Sequence, residues 1–257
     1  MKKRIQKSQK WQFGFLLIIL LLLTLAGCGD QGKPVSSSFA IEGQSTEEST
    51  DFLEIDLSVP VLSGFDSAEN INKEIAESIA AARAEVEDAA SQMESYQSQQ
   101  KAGLHTNYLY SKSGDLVSLW MMLDNYTGGA HGLYWIEPYT FNIATGEIYN
   151  FSDLFQEGNA SASLVTDKII NKIKENPELY FESAVETVKN YENDFQFYIN
   201  GDQLVVFFSL YDITAYAGGI QYFDMDADEL KDLLKPEIYE AMKAAVAIDT
   251  EGTISDH

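Results

Sequence analysis

The chain has 257 residues, a formal net charge of −23 and a single cysteine. Such a charge repels nucleic acid, which excludes nucleic-acid binding, and it attracts cationic proteins. One cysteine closes no disulfide within the chain, so the fold rests on its apolar core, and this length is ample for one.

In chain order, Lys2, Lys3, Arg4, Lys7 and Lys10 precede an apolar run from Phe13 to Leu25, which Ala26, Gly27 and Cys28 close. This is the three-part layout of a secretory signal peptide. Its apolar core of 13 residues falls short of the roughly 20 that a spanning helix needs. A cysteine at the cut marks a lipoprotein signal over residues 1–27. Its thiol is linked to a diacylglycerol, and cleavage leaves Cys28 as the first residue. Two or more acyl chains, palmitate among them, hold a protein stably on a membrane where one does not. The expected location is the cell membrane, lipid-anchored, facing the extracytoplasmic side. The signal holds five of the 17 basic residues and none of the 40 acidic ones, so the remainder has 12 against 40, or about −28.

Residues 28–50 are rich in Gly, Ser, Thr, Gln and Glu and read as a disordered tether. Phe52 to Val61 alternates loosely and predicts a strand ending near Pro60. Ser67 is placed to cap a long helix from Ala68 to about Gln100, with Ile71, Ile75, Ile79, Ala82 and Val86 as its apolar stripe. From Leu104 the period changes to two. Strands are expected over Leu104–Tyr110 and Leu116–Tyr126, joined at Ser113-Gly114, and over Tyr134–Ile143, returning through Ile148–Phe151. Helices follow over Leu164–Ile173, ending before Pro177, and over Tyr180–Tyr191. Phe195–Ile199 and Leu204–Phe208 form a hairpin across Asn200-Gly201. Leu204–Phe208 is apolar on both faces, as a covered central strand would be. Gly219–Met225 is a last strand, and Asp226 caps a final helix reaching Val246. Blocks of strands and helices predict an α+β fold with mixed or antiparallel sheets, a long N-terminal helix and a C-terminal helix. The expected division is residues 51–148 and 149–247.

Two glycine-rich segments stand out. Tyr126-Thr127-Gly128-Gly129-Ala130-His131-Gly132 surrounds one histidine with three glycines. His131 there is either a base or ligand, or part of a glycine-built turn. Tyr211-Asp212-Ile213-Thr214-Ala215-Tyr216-Ala217-Gly218-Gly219 offers two tyrosines as contact area, or simply packs them. The candidate ligand-binding residues are Tyr126, Gly128, Gly129, His131, Tyr211, Tyr216, Gly218 and Gly219. No nucleophile elbow, phosphate loop or dinucleotide fingerprint occurs, and His105, His131 and His257 lack zinc-site spacing, so no cofactor or metal is expected.

The first glycine segment, Tyr139-Thr140-Phe141-Asn142-Ile143-Ala144-Thr145-Gly146 and Phe151-Ser152-Asp153-Leu154-Phe155 resemble the extracytoplasmic domains of unknown function shared by PdaC-type cell-wall deacetylases and RsiV-type anti-sigma factors. Ile55–Pro60 and Ile71–Ile75 are similar to the start of the PdaC-like half. Leu204–Phe208, Tyr211, Tyr216–Ile220 and Leu230–Leu234 are similar to the RsiV-like half. The resemblance covers residues 51–236 and implies a sensing or binding module, since RsiV-type proteins bind lysozyme outside the cell. Only twelve residues precede the apolar run, too few for a sigma-binding segment, and no metal-binding deacetylase motif is present. The expectation is therefore a non-enzymatic, lipid-anchored envelope module that binds a lysozyme-like cationic protein or peptidoglycan. The alternatives are a glycan-modifying enzyme using His131 and a structural envelope-assembly module.

Overall fold

In the computed structural model, residues 38–156 and 161–247 are described. The signal segment and Cys28 lie outside the described residues. Strand β1 (Ala40–Ser49) runs antiparallel to β2 (Leu53–Ser63) over its whole length, from Ala40 opposite Ser63 to Ser49 opposite Glu54. This corrects the expectation of a disordered tether over this stretch. Nearly every β1 side chain is exposed, which is why its composition reads as linker; backbone pairing, not burial, makes it a strand. Phe39 and Ile41 anchor one end on the core, and Arg83 pairs with Glu48 at the other.

β2 continues through Pro60 and does not stop there. It pairs in parallel with β3 (Ala102–Ser113) only from Leu53 to Leu57, opposite Ala102 to Thr106. At the next residue the Thr106 hydroxyl replaces the ladder, accepting from the Ser58 N–H and donating to its carbonyl, both at 3.1 Å. Pro60 has no N–H to offer on that side, and two residues on the Asn72 amide bonds both backbone groups of Leu62 at 2.8 Å. The two strands therefore diverge where the proline removes a donor.

Helix α1 (Ala68–Ser95) buries Ile71, Ile75, Ala82, Val86 and Met93. It ends earlier than its predicted Gln100. Gln97 takes a left-handed φ of 53°, and the Ser98 N–H bonds the Met93 carbonyl at 2.9 Å, a Schellman closure made without glycine. Ser67 sits at the N-cap, but its side chain makes no capping bond.

β4 (Leu116–Tyr126) and β5 (Leu133–Asn142) complete a five-stranded sheet in the order β1-β2-β3-β4-β5. The expected return strand shrinks to one bridge, Phe141 to Ile148. α2 (Ser161–Glu175) and α3 (Ala184–Asn190) follow, the second much shorter than Tyr180–Tyr191 because Tyr180, just after a 3₁₀ turn over Pro177–Leu179, is extended and the helix starts only past Ser183. β6 (Gln196–Asn200), β7 (Gln203–Phe208) and β8 (Gln221–Asp226) form an antiparallel sheet with β7 in the middle, the covered position its apolar run predicts. Its register pairs Asn200 with Gln203, so the turn is Gly201-Asp202, one residue later than expected. The Asp226 side chain caps as expected, accepting the Asp228 N–H at 2.8 Å. It caps only a 3₁₀ turn, and the continuous final helix is replaced by that turn and by α4 (Pro236–Ala244), with Pro236 at its start.

The fold is α+β in four layers. α1 covers one face of the large sheet through Ile55, Leu104, Leu119, Leu123 and Phe141. The opposite face packs Trp120 and Ile136 against Tyr198, Val205 and Phe207 of the small sheet. There Trp120 stacks on Tyr198 with centroids 4.4 Å apart, and the Ser118 hydroxyl accepts the Ile199 N–H at 2.8 Å. α2, α3 and α4 cover the far face of the small sheet over Val206, Phe208 and Phe223. Among the described residues no helix is long and apolar enough to cross a membrane.

Candidate functional site

The first glycine segment links β4 to β5. Gly128 and Gly129 have φ of 105° and 99°, values that side-chain-bearing residues rarely adopt. At Gly132 a Cβ would lie 2.6 Å from the Asn125 carbonyl oxygen, so the chain turns back into β5 only without one. The Tyr126 hydroxyl spans the loop and donates to the Gly129 carbonyl at 2.9 Å. His131 Nδ1 donates to the Gly132 carbonyl at 3.0 Å, which fixes the ring, and the residue stays exposed.

The second segment links β7 to β8. Its first turn is closed twice: the Asp212 N–H bonds the Ser209 carbonyl at 3.1 Å, and the Asp212 Oδ2 accepts the Ser209 N–H at 2.8 Å. Between them Tyr211 holds a φ of 69°, unusual for an aromatic residue, and is 49% exposed. The loop is tied down from the side, where Thr214 Oγ1 donates to the Leu179 carbonyl at 2.7 Å and the Phe181 N–H bonds Ile213 at 2.9 Å. Gly218 lies so close that a Cβ would sit 2.5 Å from Thr214 Oγ1. Gly219 has a φ of 68°, and a Cβ there would meet the Tyr134 hydroxyl at 3.0 Å.

The fold brings the two segments together. The rings of His131 and Tyr216 stack with centroids 3.6 Å apart and planes 18° apart. Tyr134 meets Tyr216 edge-on at 6.4 Å, and Tyr211 lies 5.9 Å away. Burial, with Tyr134, Asp124 and Tyr211 alongside, raises the Tyr216 phenol above its ordinary value, so it is neutral at physiological pH. Of the expected residues, His131, Tyr211 and Tyr216 supply rings. Tyr126, Gly128 and Gly129 shape the first loop, and Gly218 and Gly219 make room in the second.

Sequence reasoning missed Tyr134, which reads only as the start of a strand, although its even spacing from Ile136 puts it on the small-sheet side. It also missed Leu179 and Phe181, which are 61% and 40% exposed and border the second loop. Glu137 went unnoticed too. It accepts Trp135 Nε1 at 3.1 Å, the Tyr139 hydroxyl at 3.3 Å and the Ser78 hydroxyl of α1, and so ties that helix to β5. Among the described residues no group of three or more His, Cys, Asp or Glu side chains is placed to hold a metal ion.

Residues 46–134 match the family model described as Deacetylase PdaC, and residues 152–228 match that of a protein of unknown function, DUF3298. No curated protein matches the chain. Among solved structures, a DUF3298 family member from Bacteroides fragilis is 17% identical with a TM-score of 0.54, and covers 81% of this chain and 98% of its own. A DUF3298 family protein from Pseudomonas aeruginosa is 13% identical with a TM-score of 0.48, over 79% and 97%. The first of these likenesses concerns the fold alone. The chain thus carries a PdaC-type domain followed by a DUF3298 domain, and the stacked pair joins them, His131 lying in the one and Tyr216 in the other.

Proposed function

We propose that the chain is a non-enzymatic binding module of the cell envelope, held on the extracytoplasmic side by a lipid at Cys28, and that the His131–Tyr216 surface contacts its ligand. The observation that carries this reading is the stack itself. Two loops far apart in sequence converge on one exposed cluster of rings, and several of their glycines are dictated by close packing or positive φ. Tyrosines anchor recognition surfaces because one end is apolar and the other can hydrogen-bond. Leu133, Leu179 and Phe181 extend the exposed apolar area nearby.

A net charge of about −28 beyond the signal favours a cationic protein of the lysozyme kind over a neutral or acidic ligand. Attraction of that kind acts over about 8 Å at physiological ionic strength and over about 30 Å at 0.01 M salt. Titration of the chain with lysozyme at those two salt levels tests the reading. Tighter binding at low salt, weakened by Tyr216→Ala, supports it. No binding at low salt removes lysozyme as the ligand, and binding indifferent to Tyr216→Ala removes this surface.

A further inference from the structure

A second recess lies on the small sheet, beside the same loop but away from the stacked rings. Tyr191, Phe195, Gln196, Phe207, Phe208, Ser209 and Asp212 line a cavity of about 260 Å³. Pockets for whole drug-sized ligands run from about 300 to 1,000 Å³, so this one is the size for a single side chain. Its floor is aromatic, made by Phe195, Phe207 and Phe208, all almost wholly buried, with Phe208 meeting both Tyr191 and Phe195 edge-on at 6.0 Å, and Gln196 and Ser209 add polar groups to its wall. The one carboxylate among the lining residues is Asp212.

Asp212 Oδ2 is occupied by the Ser209 N–H at 2.8 Å, while among the described residues Oδ1 has no hydrogen-bond partner and the carboxylate no ion pair. Burial raises its pKa, the backbone bond from Ser209 opposing, so the charge is held at a cost. The residue before it, Tyr211, keeps its left-handed φ of 69°, and strain of this type collects at ligand sites. A half-buried carboxylate with a free oxygen among aromatic groups is a receptor for a cation.

We propose that this cavity receives the ammonium or guanidinium head of one lysine or arginine side chain of a partner protein, with Asp212 as its counter-charge. The proposal rests on the reading that the partner is a cationic protein, and gives that charge a fixed address one residue from Tyr211.

The test uses the ¹⁵N-labelled full chain in non-ionic detergent micelles, titrated with N-acetyl-lysine methylamide, N-acetyl-arginine methylamide and the neutral N-acetyl-norleucine methylamide. Saturable shifts of the Ser209 and Asp212 amides are expected with the two cations and not with norleucine. They are expected to persist in Tyr216→Ala and vanish in Asp212→Asn, whose amide oxygen still accepts the Ser209 N–H and keeps the fold. No local shift with either cation, or an equal response to norleucine, overturns the cation site. In a parallel titration with lysozyme, Asp212→Asn is expected to weaken binding about tenfold, as loss of one close charge pair does. Lysozyme that binds the wild type and Asp212→Asn equally overturns the assignment to a partner's side chain. If the small cations bind and lysozyme does not, the cation site stands and the lysozyme reading above falls.

Discussion

On the α1 side of β5, Trp135 and Tyr139 spend their donors on Glu137, which also accepts from Ser78. On the other side, Tyr134 meets Tyr216, which stacks on His131 and leaves an exposed ring surface. One strand thus carries two aromatic clusters of similar composition. In the first, every named hydrogen-bonding group faces another protein group and two layers are stitched together. In the second, the contacts are ring on ring, the loops are shaped by glycine, and the outer surface stays open. Closure of hydrogen bonds marks a structural cluster; convergence of distant loops on an open ring surface marks a candidate binding one.

Substitution separates them. Tyr216→Ala is expected to reduce lysozyme binding by about 30-fold or more, the loss typical of a central aromatic anchor, with little change in thermal stability. Glu137→Gln is expected to do the reverse. Its amide oxygen can still accept from Trp135 and Ser78, but the amide nitrogen then facing Tyr139 cannot accept that hydroxyl, and an unsatisfied donor in a half-buried site costs about 1–3 kcal/mol. Chemical denaturation and the lysozyme titration, run on both variants, read the contrast. Equal effects of the two substitutions on binding would erase it.

The two clusters were unequally legible in the sequence, and so were the strands around them. β7 announces itself because burial on both faces demands an unbroken apolar run, Leu204 to Phe208. β1 is hidden for the opposite reason: Glu42, Gln44, Thr46 and Glu48 face solvent, and its ladder with β2 leaves no trace in side-chain chemistry. Both glycine loops were visible because close approaches at Gly132 and Gly218 exclude any other residue. Their meeting was not visible, since no local pattern reports that His131 stacks on a tyrosine 85 positions later. Glu137 was lost among 40 acidic residues, for its three donors come from α1 and from its own strand.

Alkaline titration sharpens the contrast at a finer scale. Tyr139 and Tyr216 both have phenols raised by burial first; Glu137 adds to the shift at Tyr139, whereas Tyr134, Asp124 and Tyr211 add to it at Tyr216. A phenol raised in the folded state contributes stability fully present below the unfolded value of about 10, and lost as pH rises through the higher folded value. Glu137→Gln removes the anion beside Tyr139 and is expected to lower that midpoint alone. Tyrosinate absorbance, with Tyr139→Phe and Tyr216→Phe assigning each step, checks it; a matching shift at Tyr216 would show that the two faces of β5 are electrically coupled.

The smallest effect is expected far from both clusters, where β1 meets α1. Arg83 bonds Glu48 on β1 and Glu87 one helical turn along, and these partners raise its pKa. All three side chains are between about a third and a half exposed to water, so the pairs are screened and worth about 0.2–1 kcal/mol each. Arg83→Gln is expected to lower stability by less than about 1 kcal/mol, less still in high salt, and to leave lysozyme binding unchanged. Hydrogen exchange in that variant should stay slow at the β1 amides bonded to β2, because the ladder from Ala40 to Ser49 does not pass through Arg83. Rapid exchange along β1 would mean that the arginine, and not backbone pairing, holds this polar strand in the sheet.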